Sequence, residues 1–314
     1  MTVYNFGSIN VDHVYRVPHL VRPGETLASA SLETVLGGKG ANQSVALARA
    51  GAAVRHVGRI GEADAGLLDT LLEAGVDCAR IDRVPGTSGH AIIQVDDAGE
   101  NAIVLHGGAN LGFDGAALAG ALDGAREGDW LLAQNECDAL DAAFAAARER
   151  GMRIAFNPAP MHASVAALPL DGLDLLVVNE TEALELAAAL AGKGTAGAAE
   201  GDVPGAVEAL AARLPEVALV VTLGARGAEL VRGGTRTRSP APEVDAVDTT
   251  GAGDTFVGYL LAALVDGADE AGALARACVA GALAATRAGA TPSIPTAAEV
   301  DAAGVVAAPT ERVR

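Results

Sequence analysis

Apolar, strand-like runs alternate with Ala/Leu-rich helical runs through most of this 314-residue chain, and no other feature narrows its fold as far. VYNFG, VRHVGRI, DWLLAQ, MRIAFNP, DLLVVNE and ALVVTLG are short continuous apolar runs. Strands covered on both faces read this way, without polar alternation. SVALARAG, AGLLDTLLEAG, LDAAFAAARERG, TEALELAAALAG and AVEALAARL lie between them with helical spacing. This alternation predicts an α/β fold with a mostly parallel sheet. The 50% hydrophobic content suits one large domain spanning residues 1–314.

Two stretches break the rhythm. Residues 13–35 and 89–106 alternate polar and apolar positions, as strands open to water on one side do. The second contains DDAGEN, a hairpin turn signal. Together they predict a small extra sheet that serves as a lid. Residues 192–205 are rich in Gly and Ala and predict a loose surface loop, and the tail after Pro295 predicts a helix and a frayed end.

Composition excludes some partners. A net charge of −18 argues against nucleic acid. No apolar run reaches 18 residues and no signal peptide is evident, so neither a membrane span nor secretion is expected. Cys78, Cys137 and Cys278 are scattered, which predicts reduced thiols in a cytoplasmic protein without structural zinc.

The sharpest local motif is DTTGAGDTFVG, residues 248–258. Phe256, Tyr259, Leu260, Ala263 and Leu264 recur at helical spacing, with Thr249 or Thr250 as the expected cap. Asp254 falls in the first turn, where the dipole favours negative charge. Helix stabilisation alone does not explain Gly251 and Gly253, which lower helix propensity by roughly 1 kcal/mol each. Glycines whose N–H groups can reach a ligand make an anion cradle, here with a carboxylate beside it.

Other polar features stand near the ends of successive strands. Asn10 and Asp12 in GSINVD are expected at the end of the first strand, where they can grip adjacent hydroxyls or simply form a polar turn. GGKGANQ lacks the P-loop pattern because Gly40 follows Lys39, yet a lysine between glycines suggests a compact charge at close quarters. Glu136, after the strand that starts near Trp130, can accept from a hydroxyl or cap a neighbour. Asn179 and Glu182 can hold a hydrated Mg²⁺ or form a capping box. Thr222, Gly224 and Gly227 can receive a nucleotide or form an ordinary turn. A dinucleotide-binding dehydrogenase is disfavoured, since residues 7–12 lack G-x-G-x-x-G.

Phe6–Asp12, GGKGANQ, the N-x-x-E of NETE, TLGARG and DTTGAGDTF resemble the PfkB-type (ribokinase-like) carbohydrate kinases, in family order from residue 3 to about 296. The resemblance implies a Rossmann-like α/β/α sandwich with a small β-sheet lid, often a homodimer clasp. It implies ATP-dependent phosphorylation of a sugar hydroxyl, O5 in ribose, with other pentoses, ketohexoses, ketodeoxygluconate or nucleosides as alternatives. A non-catalytic sugar or nucleotide sensor is a remoter one. Asn10, Asp12, Gly38, Lys39, Asn42 and Glu136 would hold the sugar, with Asp254 as the base and the N–H groups of Gly251, Ala252 and Gly253 as the anion hole. Asn179, Thr222, Gly224 and Gly227 would serve ATP, and Glu182 would lie near hydrated Mg²⁺. Asp248, Thr250, Ala284, Arg287, Gly289 and Ser293 would help bind an activating K⁺. Two positions depart from the family: Asn135 within Gln134–Glu136, and Cys278 where a polar adenine-pocket residue is usual.

Overall fold

A computed structural model describes residues 1–192, 201–303 and 311–313. In chain order the elements begin with β1 (Thr2–Phe6), β2 (Asn10–Arg16), β3 (Ser31–Gly37), α1 (Lys39–Arg49) and β4 (Ala53–Gly61). Next come α2 (Leu68–Glu73), β5 (Asp77–Val84), β6 (Gly89–Val95), β7 (Asn101–His106), α3 (Gly115–Ala121), β8 (Trp130–Gln134) and α4 (Leu140–Glu149). β9 (Arg153–Asn157), β10 (Leu175–Asn179), α5 (Glu180–Leu190), α6 (Val203–Arg213), β11 (Ala218–Thr222), β12 (Ala228–Arg232) and β13 (Thr235–Ser239) follow. α7 (Ala252–Val265), α8 (Glu270–Ala285), α9 (Ala297–Ala302) and β14 (Glu311–Val313) complete the chain.

The main sheet has the order β14-β13-β12-β11-β10-β9-β8-β1-β4-β5. From β5 to β11 every pairing is parallel. Beyond β11 the pairings are antiparallel. The antiparallel part is a departure from the simple alternating reading, and so is β14, since the expected frayed end contributes a strand. Gly233 and Gly234 both have positive φ, 54° and 76°, as the tight turn between β12 and β13 demands.

The parallel strands are buried on both faces because helices cover both. Val3, Trp130, Leu132, Val177 and Val220 join one core with α1, α2, α7, α8 and α9. Their alternating neighbours Tyr4, Phe6, Leu131, Val178 and Leu219 join a second core with α3–α6. The result is an α/β/α sandwich, as expected.

The small sheet has the order β3-β2-β6-β7. β6 and β7 form the anticipated hairpin around residues 96–100. Its first strand starts only four residues after β1 ends, so Asn10 and Asp12 belong to the small sheet and not to the end of the first strand. Of the loop anticipated at 192–205, residues 193–200 lie outside the described residues, and Val203 already begins α6.

Candidate active site

Because β1, β8, β9, β10 and β11 run parallel, their carboxyl ends share one edge. Ser8, Glu136, Asn157, Asn179 and Thr222 stand along it. The strand order turns back between β1 and β8, the place where open α/β sheets leave a ligand crevice. α1 and α7 close over this edge. A Cβ at Gly258 would collide with Ala46, so a glycine there lets the two helices approach.

Contact between α1 and α7 places Asp254 against two amides. Its Oδ2 accepts from Asn42 Nδ2 at 3.1 Å and its Oδ1 from Gln43 Nε2 at 2.9 Å. Asp254 is 8% exposed, so both bonds are shielded from water. Neither Thr249 nor Thr250 caps α7. Gly251 occupies the cap position with φ 75°, and a Cβ there would lie 2.9 Å from Ala290 Cα. Ala252 N–H is taken by Thr249 O at 3.2 Å, whereas Gly253 N–H meets no backbone carbonyl among the described residues. A Cβ on Gly253 would meet open space. Of the three N–H groups expected to receive an anion, Ala252 is therefore engaged within the protein.

Lys39 is the cation of the site. Asp254 pushes its pKa up, burial works against the rise, and Glu136 and Glu182 add to it. Glu136 Oε2 accepts from the Lys39 backbone N–H at 3.0 Å and from the Ser8 hydroxyl. Gly38, with φ 92°, caps the same helix, so the start of α1 is satisfied by a protein carboxylate. Burial raises the Glu136 pKa despite those bonds.

Asp12 stands beside Glu136. Burial, and then the charge of Glu136, push its pKa up to about 6. Asn10 is buried, and its Oδ1 accepts from Asn110 Nδ2 at 2.7 Å. Sequence reasoning did not single out Asn110, Asn157 or Thr291, and it read Gln43 only as part of GGKGANQ and not as a partner of Asp254. Thr291 donates to Asn42 Oδ1 at 2.7 Å and thereby turns the Asn42 amide toward Asp254. For Gln43 a signal existed: a second amide, beside Asn42, inside a helix whose neighbours are buried.

Two cavities adjoin and share Thr222, Thr249 and Gly253. One, of about 200 Å³, is polar and is lined by Lys39, Asn157, Asn179, Glu182, Gly251 and Asp254. The other, of about 380 Å³, is mainly apolar and is lined by Gly224, Gly227, Ala252, Phe256 and Cys278, among others. The Cys278 thiol donates to Ser239 O at 3.6 Å, and burial pushes its pKa up to about 11, so it stays protonated and unreactive. Asn179 and Glu182 form the full capping box, with bonds of 2.8 and 2.9 Å. The capping reading of that pair therefore holds, while Glu182 still reaches the polar cavity.

The Asp248 group forms a separate cluster. Asp248 Oδ1 accepts from Thr250 N and Oγ1 at 2.9 and 2.6 Å, and Oδ2 from Gly289 N at 2.8 Å. Burial would raise its pKa, but these bonds outweigh burial and lower it. Asp248 N–H donates to Ala285 O, Ala284 O accepts from Arg287 N, and the Ser293 hydroxyl donates to Ala290 O at 2.8 Å. The 248–250 and 284–293 segments are thus tied together. The Arg287 guanidinium pairs with Glu299 at 2.7 Å, so that residue has only its carbonyl to offer a cation.

A family model described as pfkB family carbohydrate kinase matches residues 2–297. The chain is 35% identical over 302 residues to the ribokinase of Haemophilus influenzae, across 94% of this chain and 95% of that one. Among solved structures, ribokinase from Cryptococcus neoformans in complex with ADP aligns with a TM-score of 0.83 at 34% identity, covering 96% of this chain and 99% of that one. Arabidopsis thaliana ribokinase complexed with ribose and ATP aligns with a TM-score of 0.78 at 28% identity, covering 96% and 97%.

Proposed function

The chain belongs to the pfkB family of carbohydrate kinases, and we propose that it transfers the γ-phosphoryl group of ATP to the primary hydroxyl of D-ribose. It is an ATP-dependent sugar kinase; the choice of ribose and the residue roles below are our reading. The observation that carries it is the Asp254 carboxylate: buried, held by two amides, beside Lys39, at the head of α7 where the polar cavity opens.

Asn10, Asp12, Glu136 and the Gly38–Lys39 turn hold the sugar. Asp254 takes the proton of the 5-hydroxyl as its oxygen bonds to the γ-phosphorus, and the bond from that phosphorus to the β-phosphate oxygen breaks to release ADP. Phosphoryl transfer of this kind depends on positioning and on charge stabilisation. Lys39 and the free N–H of Gly253 meet the negative charge, with Gly251 and Ala252 shaping the turn around it. The apolar cavity takes adenine, and Thr222, Asn179, Gly224 and Gly227 line the path of the phosphates. Glu182 fits a hydrated Mg²⁺, an ion that needs few protein ligands. No cluster of three or more metal-ligating side chains occurs among the described residues. When bound, the ion would neutralise phosphate charge. The Asp248 cluster, with the carbonyls of Thr250, Ala284, Arg287 and Gly289 and the Ser293 hydroxyl, would hold an activating K⁺.

The small sheet serves as the lid, and a homodimer forms through it. Leu32, Ile103, Val104 and Leu105, at 51%, 52%, 68% and 55% exposure, support this assignment. Three free cysteines support a reducing, cytoplasmic setting. Among the described residues no helix is long and apolar enough to cross a membrane.

The test is ADP release with MgATP and K⁺ across D-ribose, deoxyribose, fructose, ketodeoxygluconate, adenosine and uridine. Turnover confined to D-ribose is expected. Turnover with another acceptor alone would overturn the substrate and keep the mechanism.

A further inference from the structure

Behind Asp254 lies a chain of buried amides whose direction is set far from the base. Three backbone carbonyls anchor it, and a carbonyl can only accept. Val177 O accepts from Asn157 Nδ2 at 2.9 Å, which leaves Asn157 Oδ1 as the acceptor for Gln43 Nε2 at 3.0 Å. Gly40 O accepts from Asn5 Nδ2 at 2.7 Å, which leaves Asn5 Oδ1 as the acceptor for Gln134 Nε2 at 2.9 Å. Gln134 Nε2 also donates to Gln43 Oε1 at 2.7 Å. Both chains demand the same orientation: the Gln43 oxygen toward Gln134 and its NH₂ group toward Asp254 Oδ1.

The third anchor acts through His56, which is fully buried and whose pKa burial lowers to about 4, so it is neutral. Its Nε2 lies 3.1 Å from Gly7 O and must carry the proton. Nδ1 is then an acceptor for the Ser44 hydroxyl at 2.8 Å. That commits the Ser44 oxygen to accept from Asn5 Nδ2 at 2.8 Å and fixes the Asn5 amide a second time. One cost is visible. Gln134 Oε1 is buried without a partner. Flipping Gln134 would aim that oxygen at two acceptors, Asn5 Oδ1 and Gln43 Oε1. The fold leaves an acceptor empty and keeps both donations.

We propose that Gln43 is the positioning residue of the catalytic base, and that Gln134, which does not touch Asp254, sets the direction in which Gln43 donates. This deepens the reading of Asp254 as base and rests on it. With Asn42 on Oδ2 and Gln43 on Oδ1, each carboxylate oxygen has one amide donor and one side left for the sugar hydroxyl. A reversed Gln43 would present its oxygen to a carboxylate that already faces Glu136 and Glu182, with Lys39 as its cation.

The test compares Gln134→Glu, Gln134→Met, Gln43→Met and Asp254→Asn in the full chain, reading kcat, sugar KM, the pH profile of kcat at saturating sugar, and melting temperature. As a carboxylate, the side chain of Gln134→Glu cannot donate to Gln43 Oε1 and accepts from its NH₂ group instead. The expected result is a kcat lower by about 10²-fold, the scale for one lost charge-stabilising donor. Sugar KM should stay nearly unchanged, and the acidic limb of kcat should move to higher pH. Gln134→Met removes the directing donor without reversing it and should lose far less. Gln43→Met should lose kcat as Gln134→Glu does, and it carries the test if Gln134→Glu fails to fold. A folded Gln134→Glu or Gln43→Met with wild-type kcat, beside an inactive Asp254→Asn, would overturn the positioning role alone. A kcat loss equal in the two Gln134 variants, following melting temperature with no change in the pH profile, would reduce the chain to packing. Wild-type turnover in Asp254→Asn would overturn the base assignment and the proposal with it.

Discussion

Asn110 donates to the Asn10 side-chain oxygen at 2.7 Å across 100 residues of sequence, and its own oxygen accepts from Ile9 N–H at 2.9 Å. One buried side chain thus fixes the entry of β2 and engages the Asn10 oxygen, so that in the proposed reading the Asn10 NH₂ group is the part that meets the sugar. Asn110→Leu should raise sugar KM by about fivefold with kcat nearly unchanged, since one hydrogen-bonded contact is worth roughly 1 kcal/mol. It should also lower stability by about 1–3 kcal/mol, because Ile9 N–H is left buried and unpaired. Steady-state kinetics and urea unfolding check both; a folded variant with wild-type KM would refute the link.

Asp254→Asn should keep the fold and lose turnover by at least 10²–10⁴-fold, the range for general-base catalysis. The Asn can still accept one N–H from Asn42 or Gln43, so melting temperature should move little. ATP binding, read by fluorescence or calorimetry, should persist, because the apolar cavity does not include residue 254. Turnover near the wild-type rate would remove Asp254 from the chemistry.

The parallel half of the sheet is legible in the sequence because double-sided burial leaves continuous apolar runs such as LLVVN. The hairpin of β12 and β13 is harder to read. TRTRS carries two arginines, which pair with the buried Glu229 on the neighbouring strand, so the charges that hide the strand are what hold it. The motifs do mark the sheet edge where the structure gathers Glu136, Asn179, Thr222 and Asp254. They do not mark what orients those residues. Gln43 meets Asp254 across 211 positions and Asn157 across 114, and no local pattern encodes such pairings. The cap of α7 also escaped, because a threonine beside a helix start signals a side-chain cap, and here Gly251 fits a space closed by Ala290.

K⁺ should accelerate turnover several-fold over a large organic cation at equal ionic strength. The Asp248 carboxylate ties the 248–250 and 284–293 segments together, and Gly251, which opens α7, packs against Ala290 in the second of them. A cation held there would stiffen the turn that carries Asp254. Asp248→Asn should abolish the K⁺ effect and leave basal turnover low. Equal rates with K⁺, Na⁺ and tetramethylammonium in the wild type would count against a cation site.

Asp12 sets a pH dependence of opposite sign for binding and for stability. Its pKa is pushed from 3.8 up to about 6 by burial and by Glu136. If Asp12 holds the sugar as proposed, its charged carboxylate accepts a hydroxyl, so sugar KM should rise as pH falls below about 6, and Asp12→Asn should raise KM and flatten that limb. For folding, the native state holds the proton more tightly than the unfolded chain does. Stability is therefore greatest below 3.8 as far as this group is concerned and is lost as pH rises through about 6. The loss is on the order of 3 kcal/mol at most. Asp12→Asn should accordingly melt higher than the wild type at pH 8, with the gain shrinking toward pH 4, while its weaker sugar binding shows above about pH 6 and fades below it. Thermal unfolding and KM measured on the same pH series separate the two effects. A variant that binds weakly without gaining stability at pH 8 would mean that Asp12 is not held under the strain its burial implies.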